Sequence, residues 1–392
     1  MESDDPVLFE VRQSHLNTGL RGLPVGTCLT SAVHAENGVS YGGYPVADLA
    51  GLSCEAVIHL LFRKRLPTPD EERAFAAELV SRETVPPLVH DLLAHLPRQA
   101  HPMEWFLAGL LYLGMSGKSG EWEEDALNLV ARTNGLVAAV FRLREGWGAP
   151  KKPRPGLTYA ERFTDALGAP GAHALLPEVL RLFHVLHVDH GGGNLSTFTG
   201  KAVASSHADV YVSMAAAMAS LYGPLHGRAN QECLEFVREV GSSDPKAVEA
   251  FVRALVAKGG KVFGFGHAVL RAEDPRAKVQ YAFAEKHFAS HPLVRTALAL
   301  RAVVPPILKE QPKIQNPYPN VDAVSGSLLS AAGLLDPEYY TVLFGWSRVV
   351  GIAAQIVDER VRMRDGKGVP IYRPRYLAEA QPGRRLAPPA PP

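Results

Sequence analysis

The chain is 392 residues long, 46% hydrophobic and 21% charged, with 41 basic residues against 40 acidic ones and a net charge of +1. That length exceeds what one hydrophobic core comfortably serves, so two lobes are expected, and the balanced charge excludes a broad basic face for nucleic acid or an anionic membrane. Cys28, Cys54 and Cys233 are far apart with no CxxC pair, which argues against a disulfide framework or a thiolate metal site; with an acidic start resembling neither signal nor transit peptide, a cytoplasmic protein is expected.

In chain order, residues 28–44 carry the best strand signal, because Asn37-Gly38 between two short β-prone runs predicts a type I′ hairpin. Helices follow. Thr68-Pro-Asp-Glu71 supplies an N-cap, a first-turn proline and a capping-box glutamate in order. Helical periodicity covers residues 101–115, 121–144 and 204–222. Asp244-Pro245 opens a helix whose apolar positions Val248, Phe251, Val252, Leu255 and Val256 follow the helical repeat, and Gly259-Gly260 closes it. Asp274-Pro275 and Asp336-Pro337 open two more. Strands and helices do not alternate, no internal repeat is present, and apolar stretches such as 215–221 are too short to span a bilayer. Residues 381–392, rich in Pro, Ala and Arg, are expected to form a disordered tail. The expectation is an all-α, multi-helix protein with one small β-hairpin near its N-terminus.

Four segments carry more chemistry than structure needs. His184, His187, Asp189 and His190 fall within seven residues and run into Gly191-Gly-Gly-Asn194. Such donor density is a candidate metal site and would suit a metal-dependent hydrolase. Against it, the run follows an amphipathic helix rather than a strand, and no cysteine or carboxylate cluster lies elsewhere; histidines hydrogen-bonded at a helix end are the simpler reading. His226, in Gly223-Pro-Leu225-His226-Gly, sits in a tight turn facing the next helix N-terminus. There the helix dipole disfavours imidazolium, leaving a neutral ring able to donate to a developing oxyanion; a turn-capping histidine is the alternative.

In the third segment Gly264 and Gly266 let backbone approach a ligand, and His267, Arg271 and Arg276 follow beside a helix N-terminus, an arrangement suited to an anion. It is no dinucleotide fingerprint, lacking the third glycine and the preceding strand. In the fourth, Asp322 of Pro319-Asn-Val-Asp322 is either a helix N-cap or a base. Arg348 lies in a helix apolar on nearly every face. Such a helix is buried, a buried guanidinium needs an anion, and with no acidic residue near in sequence a substrate carboxylate is a fitting partner.

Together the segments resemble citrate synthase. The resemblance rests on His-x-Asp-His-x-Gly-Gly-Asn, Gly-Pro-Leu-His-Gly-x-Ala-Asn-Gln-Glu, Gly-His-Ala-Val-Leu-Arg-x-x-Asp-Pro-Arg, Pro-Asn-Val-Asp and Tyr-Thr-Val-Leu-Phe-Gly-x-Ser-Arg, in the family's order. His101-Pro-Met103 and Gly42-Gly-Tyr44-Pro resemble further landmarks, and the likeness covers all but the two ends. The wording is closer to the eukaryotic-like branch, without the N-terminal domain through which some bacterial relatives respond to NADH.

The resemblance implies a two-domain helical homodimer that closes on its substrates: residues 1–227 and 335–392 in the large domain, 228–334 in the small one. It implies Asp322 as the base toward the acyl-CoA methyl, His226 as donor to the thioester oxygen, and His267 as donor to the ketone of oxaloacetate. His190, Asn194, Arg276 and Arg348 would hold oxaloacetate, with Arg373 reaching in from the other subunit. Leu225, Gly264, Gly266 and Arg271 would meet CoA, which enters as acetyl-CoA, a co-substrate; no tightly bound cofactor and no metal are implied. Gly191 stands where many relatives carry an acidic residue, and Gln315 where many carry a lysine near CoA.

The chemistry asks for these types. A thioester α-proton is far too weakly acidic for a lone carboxylate, so a base must work with a donor on the enolate oxygen, while arginines answer the substrate's carboxylates. Synthesis of 2-methylcitrate from propionyl-CoA is the close rival, since one methylene is worth only about 1–3 kcal/mol in a pocket.

Overall fold

The computed structural model describes residues 7–267 and 269–377, so the acidic start and the expected tail at 381–392 lie outside the described residues. Among the described residues the architecture is helical, apart from one three-stranded antiparallel sheet of β1 (Ser31–His34), β2 (Gly38–Tyr41) and β3 (Tyr44–Pro45). The hairpin is where expected, but its turn differs. His34 pairs with Gly38, which leaves residues 35–37 in a three-residue loop instead of a type I′ pair. Only Gly38 takes the left-handed conformation, at φ +79°, as the three-residue hairpin requires. The tip abuts a helix start: a methyl on Gly38 would lie 2.6 Å from Pro275 Cδ.

Helix boundaries follow the caps. Thr68 and Glu71 close the capping box that opens Pro69–Arg82, and the Asp244 carboxylate accepts the Ala247 N–H at the head of Pro245–Ala257. The periodic stretches 101–115 and 121–144 become Pro102–Ser116 and Trp122–Glu145. The stretch 204–222 is not continuous. Ala204 ends the Leu195–Ala204 helix, His207 turns with φ +66°, and Asp209 caps a new helix, Val210–Leu221. Periodicity continues across the break because both pieces bury small and apolar residues.

Tyr340–Val357 is the central helix, buried on every face at residues such as Val342, Trp346, Val350 and Ala353. The run Pro337–Arg362 is long and apolar enough to cross a bilayer, yet 94% of its apolar window is packed inside the protein. A second, smaller core joins Phe236 and Val237, Val248 and Val252, and Val304 and Ile307, from the helices Ala229–Val240, Pro245–Ala257 and Pro292–Lys309. The other two helices between residues 228 and 334, Pro275–Phe288 and Asp322–Ala331, place Tyr281, Ala284 and Leu329 in the main core. They bring the third and fourth chemical segments to the boundary between the two cores.

Candidate active site

The turn carrying His190 is built around the buried Asp189. Its carboxylate accepts from the Thr30 hydroxyl, from Ser31 Oγ at 2.7 Å, from the His190 N–H at 2.8 Å and from the Gln355 amide at 2.8 Å. One carboxylate therefore joins the sheet, the turn and the central helix. Asn194 completes the turn: Oδ1 accepts the Thr197 N–H at 3.1 Å, and Nδ2 donates to the Gly191 carbonyl at 2.8 Å. Its amide is thus engaged in holding the loop.

The other histidines of this run point elsewhere. His184 is fully buried against Trp346, ring centroids 4.6 Å apart, and burial pushes it down to about 3. His187 donates from Nδ1 to the Phe183 carbonyl at 2.7 Å and stacks on Phe183; burial holds it at about 3 as well. Among the described residues no group of three or more His, Cys, Asp or Glu side chains could hold a metal ion. The run's donors diverge instead of converging, which leaves the metal-hydrolase reading without a site.

His226 meets a helix N-terminus, though not the one expected. Its Nε2 accepts the backbone N–H of Ser196 at 3.2 Å and lies 3.0 Å from Ser196 Oγ, in the first turn of Leu195–Ala204. A peptide N–H can only donate, so Nε2 is the bare nitrogen and Nδ1 carries the ring proton. Burial, aided by Arg348, lowers His226 to about 4 and keeps the ring neutral. The sequence-local expectation missed Ser196, thirty residues upstream, because only the fold brings it close.

His267 shows the opposite tautomer. Its Nδ1 accepts the N–H groups of Val269 at 3.0 Å and Leu270 at 2.9 Å, so Nε2 carries the proton. Burial and then Arg276 lower it to about 4. The His190 ring stands 5.5 Å away and is held well below its ordinary value by burial, Arg276 and Arg348.

Asp322 is brought to this centre by stitching two loops. Phe265 bridges Pro319, Gly266 N–H donates to the Tyr318 carbonyl at 2.9 Å, and Asn320 N–H donates to the Gly264 carbonyl at 2.9 Å. Asp322 is the first residue of Asp322–Ala331 and is not its cap; its own N–H donates to Asn320 Oδ1 at 2.9 Å. No described residue hydrogen-bonds its half-buried carboxylate, and burial raises it to about 6 although Arg276 and Arg348 pull the other way.

The two buried arginines differ. Arg276 pairs with Asp274, Nη2 to Oδ2 at 2.7 Å, both side chains almost wholly enclosed. Burial opposes its charge, and Asp274 more than offsets that. The Asp-x-Arg spacing was visible in the sequence and could have exposed this pair. Arg348 has no carboxylate within 4.0 Å among the described residues. Its Nε donates to the His187 carbonyl at 2.9 Å and its guanidinium lies 4.7 Å from the Phe344 ring centroid. Burial lowers it to about 10, so it stays charged. Arg373 is exposed on a segment without regular secondary structure and makes no ion pair among the described residues.

Beside this centre opens a cleft of about 1000 Å³, lined by Leu225, Gly264, Gly266 and His267 and by three cations the sequence reading did not single out, Arg21, Lys261 and Lys313. Leu225 is 90% exposed there. Arg271 is fixed at the hairpin tip, its N–H donating to the Ala35 carbonyl at 2.7 Å.

Residues 19–375 match the family model described as citrate synthase, C-terminal domain. The chain is 36% identical to the mitochondrial citrate synthase of Daucus carota, over 92% of this chain and 81% of that one, and 36% identical to that of Citrus maxima, with the same coverage. The fold superposes with a TM-score of 0.84 and 27% identity on citrate synthase from Thermoplasma acidophilum, over 95% and 98% of the two chains; that enzyme was solved as a ternary complex with carboxymethyl coenzyme A and oxaloacetate. The expected cytoplasmic location does not stand, because these plant relatives are mitochondrial. Free thiols and balanced charge suit any reducing compartment, so they never separated the cytosol from an organelle.

Proposed function

The chain belongs to the citrate synthase family, and from that premise we infer how its site joins acetyl-CoA to oxaloacetate and hydrolyses the product to citrate and CoA. Asp322, raised to about 6, takes a methyl proton from acetyl-CoA. The electron pair moves toward the thioester oxygen, which accepts a hydrogen bond from the Nδ1–H of His226. The nucleophilic carbon then attacks the ketone of oxaloacetate: a C–C bond forms, and the former ketone oxygen takes the electrons and the Nε2 proton of His267. Water adds to the citryl thioester, its proton goes to the departing sulfur as the C–S bond breaks, CoA leaves as the thiol, and the proton held by Asp322 returns through solvent to Nε2 of His267. His190, Arg276 and Arg348 hold the carboxylates, and Asn194 keeps the His190 turn in place.

One observation carries this reading: two neutral imidazoles with opposite tautomers, each anchored through its bare nitrogen to backbone N–H, and a carboxylate raised to about 6, all within the field of Arg276 or Arg348. Arg21, Lys261 and Lys313 meet CoA phosphates along the cleft, with Leu225, Gly264 and Gly266 as close-packed wall, and Arg271 at the hairpin tip is a further contact to CoA. We further propose that the protein is a homodimer in which Arg373 enters the partner's site, and that residues 228–334 close on the rest to exclude water. In support, the arm bearing Arg373 is exposed and the second core lies wholly within that stretch.

The test is thiol release from acetyl-CoA and from propionyl-CoA, each with and without oxaloacetate. Oxaloacetate-dependent release favouring acetyl-CoA is expected. A preference for propionyl-CoA would move the assignment to 2-methylcitrate, and no release with either would overturn the reading.

A further inference from the structure

One buried ion pair stands outside every group assigned above. Lys201 Nζ and Glu359 Oε1 are 2.9 Å apart, with side chains only 5% and 3% exposed. Lys201 belongs to the Leu195–Ala204 helix, and Glu359 to the π-helical turn Asp358–Arg362 that ends the central helix. Single π turns inside or after α-helices recur at functional sites, because they redirect side chains. A buried pair adds little net stability, since desolvation offsets the attraction, and its best-attested use is to fix geometry.

Both ends reach parts of the site. The ammonium lies 3.5 Å from Gln355 Oε1, and Gln355 Nε2 donates to Asp189, the carboxylate that also accepts the His190 N–H. It packs so close to the His190 turn that a methyl on Gly192 would sit 2.8 Å from Nζ. At the other end, Glu359 Oε1 accepts from the Tyr372 hydroxyl at 3.2 Å, and the Glu359 carbonyl accepts the Val369 N–H at 2.8 Å. Tyr372 immediately precedes Arg373 and is otherwise fixed by its N–H to Ser205 Oγ at 3.1 Å and by the Phe198 ring. Among the described residues Glu359 Oε2 is buried with no hydrogen-bond partner, so the carboxylate's hold on this arm runs through Oε1.

We propose that Lys201 and Glu359 are positioning residues that lock the His190 turn to the arm presenting Arg373. They couple the turn that places His190 in its own site to the arm that carries Arg373 toward the partner's site, and touch no reacting atom themselves. This rests on the substrate reading given above, in which His190 and Arg373 hold oxaloacetate.

The experiment measures steady-state kinetics of the full-length protein and of Lys201→Met, Glu359→Gln and the conservative Lys201→Arg. The expected result is a KM for oxaloacetate raised about tenfold or more in the first two, with kcat and the KM for acetyl-CoA within about twofold, and substantial rescue in Lys201→Arg. Adding Arg373→Ala to Glu359→Gln should raise KM by less than the product of the single effects, because the arm is already displaced. Should Lys201→Met fail to fold, Glu359→Gln, which preserves size, and Lys201→Arg, which preserves charge, decide the matter. An unchanged oxaloacetate KM in folded Glu359→Gln, or an equal fall in kcat with both KM values rising together, overturns the positioning role while the condensation reading stands. A wild-type protein without oxaloacetate-dependent turnover overturns both.

Discussion

Asp322 shows how a single residue is placed in conflict between stability and chemistry. An unfolded aspartate titrates near 3.9, about two units below the folded value of about 6. As pH rises from about 4 to about 6 the unfolded carboxyl ionises while the native one resists, so native stability falls across that window and the penalty is complete above it. Asp322→Asn should therefore be more stable than wild type at pH 7, by about 1–3 kcal/mol in denaturant titration, and this gain should vanish near pH 4. The same variant should lose about 10²–10⁴-fold in kcat. In the wild type, kcat/KM should climb with pH to about 6 and then level, since His226 and His267 remain neutral from about pH 5 upward. Equal stability of Asp322→Asn and wild type at pH 7 would show that the carboxylate bears no burial cost. Arg348 makes the complementary case. Its charge is buried with no carboxylate within 4.0 Å among the described residues, so Arg348→Met, which suits the apolar helix, should leave the melting temperature unchanged or higher. Oxaloacetate affinity, read by ligand-induced thermal shift, should fall roughly 10- to 150-fold, the equivalent of charged hydrogen bonds worth about 1.5–3 kcal/mol. A bound partner found within the chain, signalled by a large loss of stability, would remove the reason to assign this arginine to substrate.

At the level of elements, the site hangs on two loops held by few backbone bonds. Gly264 has φ +80°, and a methyl there would meet Cys233 Sγ at 2.7 Å and Ala323 Cα at 2.8 Å. Ala323 follows the proposed base in the first turn of its helix, so its backbone cannot yield without moving Asp322. Gly264→Ala is expected to lose about 10²-fold in turnover through misplacement of roughly 1 Å. Gly156→Ala supplies the control, because Gly156 also has positive φ (+78°), does not line the cleft, and an added methyl there meets nothing within 4 Å. It should cost stability and leave kcat nearly unchanged. If both variants lose activity alike, backbone strain and not the contact with the Asp322 helix is responsible. Element boundaries were legible where a cap names them: Thr68, Asp244 and Asp274 each accept first-turn N–H groups. They were less legible at residues 204–222, where one helical pattern hides the break at His207, and at the hairpin, where a single positive φ and not two sets the loop length.

For the whole molecule the decisive matter is which chain supplies which group. If Arg373 serves the partner's site, mixing Arg373→Ala, assayed at oxaloacetate far below its raised KM, with inactive Asp322→Ala subunits creates one intact site in each mixed dimer. Random reassortment should then recover up to about a quarter of wild-type activity, measured after joint refolding or subunit exchange. No recovery, with exchange verified by mass, would place Arg373 in its own subunit's site or outside the site altogether. The proposed closure would act between the two cores. The helices Pro275–Phe288 and Asp322–Ala331 lie in the main core, whereas Pro245–Ala257 and Pro292–Lys309 build the smaller one that borders the cleft.

The sequence by itself determined the helical class, the hairpin's location and the candidate groups His190, His226, His267, Asp322, Arg276 and Arg348, because caps, periodicity and short motifs are local and need no partner to be read. It also carried the argument for Arg348, since an apolar helix around a charge already implies burial. Only the tertiary structure decided which nitrogen of each histidine bears its proton, because Ser196 reaches His226 across thirty residues and the Val269 and Leu270 N–H groups close on His267 only in the folded loop. It alone separated His190 from His184 and His187, which share its motif but lie in the hydrophobic interior. Hydrogen-bond partners and burial are properties of surfaces brought together from distant stretches of chain, and no local pattern encodes them.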